Sequence, residues 1–208
     1  MIVDTQDVKS SEMNIFVYGS LARGNIHYSK FFNEENITPN VFVKGSAYRL
    51  EVGYSVISTQ GSQRVPGDLI KCNRSDVLLS LLDQFHGFSF KIPEKSLFLR
   101  METDVYLDNG FTEKAYVYSI NPLKLPKTAK LIESGNWMED FAQNPPLTEK
   151  LKDREKEYIR KLGNSSGRDI VPIQLDLYRG LMNMGMIVDK GRRLALSKLG
   201  QEVFRYLE

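Results

Sequence analysis

Residues 14–21, NIFVYGSL, decide how the rest of the chain is read. Ile15-Phe16-Val17-Tyr18 is a run of β-formers without the polar alternation of a surface strand, and it meets glycine at once. This predicts a buried strand entering a tight turn at Tyr18-Gly19-Ser20-Leu21. Such a turn points successive backbone N–H groups the same way, a nest that holds a carboxylate or phosphate without a charged side chain. The plainer alternative is a strand end with a structural glycine. YGSLARGN lacks the Gly-x-x-x-x-Gly-Lys-Ser/Thr spacing of a nucleotide P-loop and the Gly-x-Gly-x-x-Gly of a dinucleotide site, so both classes lose support.

Working outward, IHYSKFFNEENI predicts a short helix with Tyr28, Phe31 and Phe32 near one face, interrupted by Pro39. Residues 41–72 read as strands, with a turn in GSQRVPGDLIKC before a short strand at Asp68–Cys72. RSDVLLSLLDQF (74–85) changes period: Ser75 caps a helix whose stripe is Val77, Leu78, Leu81, Leu82 and Phe85, and Gly87 stops it. SLFLRMETDVYL and TEKAYVYSI flank Asp108-Asn109-Gly110, a strong hairpin signal. Pro145-Pro146 closes this region, giving expected domains at 13–147 and 148–208.

The tail has its own order. Leu151, Glu155, Tyr158, Ile159 and Leu162 predict a helix from about 149 to 162. Pro172 suits the first turn of a second helix, IQLDLYRGLMNMG, which Gly185 stops. MIVDKGRRLALS alternates around Lys190-Gly191 as a hairpin. Ser197 caps a last helix with Leu199, Val203, Phe204 and Leu207 inward. Helix, helix, hairpin, helix is a winged-helix-like order.

Composition narrows the class. The 208 residues carry 28 Lys or Arg and 26 Asp or Glu. Residues 150–208 hold 13 basic and 8 acidic groups, net +5; residues 1–149 hold 15 and 18, net −3. Cys72 is the single cysteine, so no internal disulfide is available and a reducing compartment fits. MIVDTQDVKSSEM does not read as a signal peptide, and no run is apolar enough to span a bilayer. The expectation is a soluble cytoplasmic protein that does not engage membranes. His27 and His86 without nearby thiolates make a poor metal site, so neither metal nor cofactor is expected.

Here a resemblance emerges. YGSL at 18–21, followed by ARGNIHYSKFF, resembles the opening signature of the gamma-glutamylcyclotransferase-like superfamily, including its AIG2-like branch. Further landmarks follow in order. VPGDLI (65–70) is similar to the family's Val-x-Gly-acidic strand, and LLDQFHGF (81–88) to its Leu-Asp-x-x-Glu-Gly helix end. LFLR (97–100) is similar to its Tyr-x-Arg segment, with Phe98 at the tyrosine, and AYVYSI (115–120) to a barrel strand. ESGNW (133–137) is similar to its Ser-Gly-Asp-Trp element, with Asn136 at the aspartate. Together they cover roughly residues 14–141.

The resemblance implies a small mixed β-barrel with flanking helices, and the tail's element order adds a small helical winged-helix-like domain, an α+β fold in all. It implies that Tyr18, Gly19, Ser20 and Leu21 bind a small amine- or carboxylate-bearing ligand through backbone groups. In active relatives the glutamate of the helix end moves protons while the substrate's α-amine attacks its own γ-carbonyl. The products are 5-oxoproline and a released amine. This chain has His86 at that position. A neutral imidazole can take and return a proton, but it supplies no negative charge to orient an ammonium. Three readings of His86 stand: a catalytic group with altered preference, a ligand contact in a site of other use, or a histidine in a scaffold that has lost the chemistry. Asp83 is available to assist. Arg100 can pin a carboxylate, either the ligand's or the protein's own.

The basic tail offers a regulatory alternative: a metabolite-sensing barrel whose tail binds nucleic acid. Residues 172–184 would form the groove helix carrying Arg179, with Lys190, Arg192 and Arg193 in the wing beside phosphates. Against this, that helix has one basic residue and is rich in Leu and Met. A folded accessory domain, including one that pairs two subunits as a homodimer, is the competing expectation.

Overall fold

In a computed structural model, residues 12–32, 36–73, 76–166 and 169–208 are described. They divide into two compact units. The first takes residues up to Arg49 and Ser55–Asp140; the second takes Leu50–Tyr54 and Phe141–Glu208.

The first unit is a closed, mixed β-barrel with flanking helices. Its strands are β1 (Glu12–Val17), β2 (Asn36–Arg49), β3 (Ser55–Asn73), β4 (Phe98–Tyr106) and β5 (Thr112–Ile120), with β6 (Lys130–Leu131) added to β2. The order β3-β1-β5-β4-β2 closes because β2 also pairs with β3. Only β1–β5 is parallel. Strand alternation sorts the side chains. Met13, Ile15, Val17, Ile70, Cys72 and Tyr118 share a cluster with Leu79 and Leu82 of helix α2 (Asp76–His86). That face therefore looks outward to the helices, and Phe16, Leu69, Val105, Ala115 and Val117, all buried, point into the barrel.

Several expectations hold. The Asp108-Asn109-Gly110 hairpin joins β4 to β5, with Gly110 at φ 83° and the Leu107 N–H bonded to the Phe111 carbonyl at 2.9 Å. Gly87, at φ 61°, ends α2 as the Phe88 N–H reaches back to the Asp83 carbonyl at 2.8 Å. Ser75, the expected cap, lies outside the described residues.

Others need correction. The turn expected near Gly61 is a bulge inside one long strand. Pairing steps from Ser46↔Ser58 to Gly45↔Gln63, so residues 59–62 bow out of β3. Gly61 reads like a turn residue because its φ is 127° and a Cβ there would lie 2.9 Å from the Gly45 carbonyl oxygen. Helix α1 is one turn, Tyr28–Phe31. Pro39 sits inside β2, at the irregularity between Thr38 and Val41 where Asn40 takes φ 58°. The stripe of α2 is also rotated. Val77 and Leu81 are 69% and 47% exposed, and the buried face is Leu79, Leu82 and His86.

The second unit follows the expected order with shifted ends. The first helix is broken into α4 (Leu147–Lys150) and α5 (Asp153–Gly163); α3 (Trp137–Gln143) precedes them, its residues up to Asp140 belonging to the first unit and the rest to the second. Leu151 and Lys152 are extended, and Glu155 reaches back to accept the Lys152 N–H at 2.7 Å, starting a new helix. Helix α6 spans Leu175–Asn183 with Gln174 as its cap, so Pro172 precedes the helix instead of opening it. Strands β7 (Ile187–Asp189) and β8 (Leu194–Leu196) pair antiparallel. Helix α7 (Lys198–Leu207) is capped by Ser197, whose Oγ accepts the Gly200 N–H at 2.9 Å. Its core gathers Tyr158, Ile159, Leu162, Leu181, Met186, Ile187 and Val203.

Gly67 is the tightest test of barrel packing, since an added Cβ would run into the Phe16 ring and the Val17 carbonyl. Gly67→Ala is expected to cost about 1–3 kcal/mol in urea unfolding. Gly110→Ala, with open space but a positive φ, should cost about 1 kcal/mol.

Candidate functional site

The predicted turn forms as one turn of 3-10 helix, Gly19–Leu21, directly after β1. Gly19 has φ 57°, and a Cβ there would lie 3.0 Å from the Ser55 carbonyl oxygen, so a side chain is excluded on two counts. The Leu21 and Ala22 N–H groups close the turn on the Tyr18 and Gly19 carbonyls at 3.2 and 3.1 Å. The Gly19 and Ser20 N–H groups have no hydrogen bond among the described residues. The turn's acceptors, by contrast, are occupied. Asn25 Nδ2 donates to the Gly19 carbonyl at 2.7 Å, and the His27 N–H donates to the Ser20 carbonyl at 3.0 Å. Donors are thus left for a ligand, the polarity a carboxylate needs.

Tyr18 ties this turn to two strands. Its hydroxyl donates to the Tyr118 carbonyl at 2.8 Å and accepts the Ile57 N–H at 3.3 Å. Tyr118 in turn carries the second part of the site. Its hydroxyl donates to Asp83 Oδ1 at 2.7 Å, and its ring stacks on His86 with centroids 3.9 Å apart and planes 4° from parallel. Burial and the neighbouring Asp83 carboxylate push the Tyr118 phenol well above its ordinary range. Arg100 donates to both Asp83 oxygens, at 3.1 and 2.9 Å. The protein's own carboxylate is thus one partner of Arg100.

His86 is the last residue of α2 and is 7% exposed. Phe85 and Phe98 edge onto its ring at 5.0 and 5.2 Å. Nδ1 lies 2.9 Å from the Leu82 carbonyl. A carbonyl only accepts, so Nδ1 carries the proton of the neutral ring and Nε2 the lone pair. Burial lowers its pKa to about 3, with the Leu82 carbonyl opposing and His27 adding to the fall. At neutral pH this is an uncharged acceptor. His27 is buried too, against Phe85 at 4.9 Å.

Further residues hold the frame. Trp137 is buried and donates through Nε1 to the Pro66 carbonyl at 2.6 Å, while Asn136 caps α3 by accepting from the Met138 and Glu139 N–H groups. Of the basic residues expected to meet nucleic acid, Arg179 lies on α6 and Lys190, Arg192 and Arg193 on the β7–β8 hairpin, all exposed. No group of three His, Cys, Asp or Glu suited to a metal occurs among the described residues. Nor is any described helix long and apolar enough to cross a membrane.

This barrel, with a donor-lined turn after its first strand, falls in a recognised class. The family model described as gamma-glutamyl cyclotransferase, AIG2-like, matches residues 15–139. The chain belongs to that family. No curated protein matches it. Among solved structures it is similar to an uncharacterized protein of Pyrococcus horikoshii, at 15% identity over 63% of this chain and 94% of that one, with a TM-score of 0.43. It is also similar to YkqA of Bacillus subtilis, at 19% over 64% and 42%, TM-score 0.47. An aig2-like protein of Mus musculus is similar at 18% over 56% and 80%, TM-score 0.41.

The state of His86 has a measurable consequence. Its pKa in the folded protein is depressed, so the unfolded chain binds the extra proton between about pH 6.5 and 3. Its contribution to stability is therefore complete above pH 6.5 and lost as pH falls toward 3. His86→Phe removes this titration while leaving His27, Asp83, Arg100 and Tyr118 in place. Between pH 6.5 and 4 the wild-type unfolding free energy should fall more steeply than the variant's, by up to about 1.4 kcal/mol per pH unit.

Proposed function

We propose that the barrel binds a small carboxylate-bearing ligand at the Tyr18–Leu21 turn and that its 5-oxoproline-forming activity is weak or lost. The observation that carries this reading is the neutral, stacked imidazole of His86 where the family places a glutamate. In the family reaction, the substrate's ammonium gives up a proton and the freed amine attacks the γ-carbonyl. The γ-amide C–N bond then breaks, and the departing nitrogen takes a proton. One carboxylate can serve both transfers and attract the ammonium beforehand. His86 Nε2 can accept a hydrogen bond but has no charge to offer, and burial resists its becoming an imidazolium. Asp83 does not replace the missing carboxylate, because Arg100 and Tyr118 already occupy its oxygens.

On this reading Gly19 and Ser20 hold the ligand carboxylate with their N–H groups, and Tyr18 and Leu21 shape the turn around it. Arg100 acts one step removed, fixing Asp83 and through it Tyr118 and the His86 ring. The element order of the second unit supports a winged-helix-like accessory domain. A nucleic-acid role through its second helix draws less support. Arg179 is the only basic residue of α6, and Asp176 on the same helix is paired with Arg154 at 2.6 Å.

The test is release of 5-oxoproline from a γ-glutamyl amine by wild type, His86→Ala and His86→Glu. The expected result is wild-type turnover near background, with a gain in the glutamate variant. Robust wild-type turnover abolished in His86→Ala would overturn the reading and make His86 a catalytic residue.

A further inference from the structure

The second unit contains an open groove of about 590 Å³ between the end of α5, strand β8 and helix α7. Leu162, Leu194, Leu196 and Phe204 supply its apolar lining. Arg193, Lys198 and Arg205 contribute three cations, and Glu202 is the one carboxylate among the lining residues. None of the three cations has a salt bridge among the described residues. Burial raises the Glu202 carboxyl pKa, with Arg205 nearby opposing the rise.

The groove also contains an unfinished sheet. Among the described residues, strand β7 pairs with β8 alone, and β8 with β7 alone. The Lys190 N–H bonds to the Arg193 carbonyl, and the Ser197 N–H bonds to the Met186 carbonyl. Antiparallel pairing alternates, so the backbone groups of Arg193, Ala195 and Ser197 face β7, and those of Leu194 and Leu196 face away. Among the described residues no hydrogen bond engages the N–H or C=O of Leu194 or Leu196. Both residues line the groove and are half-buried. Two donors and two acceptors at strand spacing thus stand beside a cationic rim. A lone phosphate would use the cations but not the carbonyls, whereas an extended peptide uses both sets.

We propose that this groove docks an extended acidic peptide segment of a partner protein, which adds to β8 as a third strand. The main chain pairs with Leu194 and Leu196, alternate side chains face the apolar lining, and carboxylates meet Arg193, Lys198 and Arg205. Binding of this kind is sequence-tolerant along the backbone and selective through charge. It places recognition on the β8–α7 side of the unit, away from α6, and is independent of the ligand reading of the barrel.

The probe is a capped peptide of about eight residues alternating glutamate and valine, titrated into the full-length protein and followed by amide NMR. The expected result is slowed hydrogen exchange at the Leu194 and Leu196 amides. Affinity should fall at least about tenfold when the peptide is N-methylated at alternate residues, a change that removes donors without touching charge. A similar loss is expected in the Arg193→Glu/Lys198→Glu/Arg205→Glu variant, with the circular dichroism spectrum and barrel amide shifts unchanged. A lysine–valine peptide should not bind. The proposal is overturned by absence of binding at millimolar peptide, or by binding indifferent to N-methylation. Tighter binding of a single-stranded oligonucleotide at the same amides would also overturn it, giving the groove to nucleic acid.

Discussion

A strand left with unpaired backbone groups is costly to bury, and the first unit meets that constraint by closing its sheet through β3. This strand runs beside β2 for most of its length, and its last residues pair with both β2 and β1. Such double use sets β1 beside β3 on one side and β5 on the other, which fixes where the Tyr18–Leu21 turn emerges. The closure needs local slack. The bulge at residues 59–62 supplies it, and two of its backbone donors find side-chain acceptors. The Thr59 N–H donates to Ser119 Oγ at 3.1 Å and the Gln60 N–H to Ser58 Oγ at 3.1 Å, which accounts for two of the buried serines of the barrel strands.

Closure also decides which chemistry can stand beside the turn. Outward-facing side chains of β4 and β5 lie under α2, so Arg100 and Tyr118 meet Asp83 and His86 there and not inside the barrel. The Asp83 carboxylate is the joint. It receives the Arg100 charge and the Tyr118 hydroxyl, and the Tyr118 ring then presents a flat face to position 86. A glutamate could not use that face. An imidazole can, and with Nδ1 bonded to Leu82 it has a donor satisfied as well. The neutral His86 imidazole therefore fits its surroundings as packing and brings no negative charge to them.

What the sequence makes legible is the chemistry that acts over a few residues. The Asp108-Asn109-Gly110 hairpin, the Gly87 stop, the Ser197 cap and the Tyr18–Leu21 turn each depend on local backbone preference, and each forms. Where the reading failed, a distant partner settles the outcome. Gly61 has the character of a turn residue, but the neighbouring strand converts it into a bulge. Counting hydrophobic residues along α2 puts Val77 and Leu81 inside, because it gives no credit to a histidine that can stack on a tyrosine 32 positions away. Arg100 and Asp83 are individually noticeable, yet nothing in their spacing pairs them. Asn25, which fixes the Gly19 carbonyl, has only a faint signal in the sequence, an asparagine shortly after a glycine turn.

The two units handle sheet edges in opposite ways, and the contrast bears on what each is for. The barrel leaves little backbone open, and the spare donors at Gly19 and Ser20 stand at a strand end, where they suit a ligand of a few atoms. The second unit stops its sheet at two short strands, although its helices bury a core sufficient to hold them. Arg193 and Lys198 flank the short strand β8, and charge beside a short edge strand is a common guard against unwanted pairing. The same basic residues that repel a second cationic edge admit an acidic one, so protection and selectivity are compatible here. Part of the tail's positive charge, uninformative as a total, lies on the β8–α7 side, where the unpaired carbonyls favour a peptide over a phosphate chain.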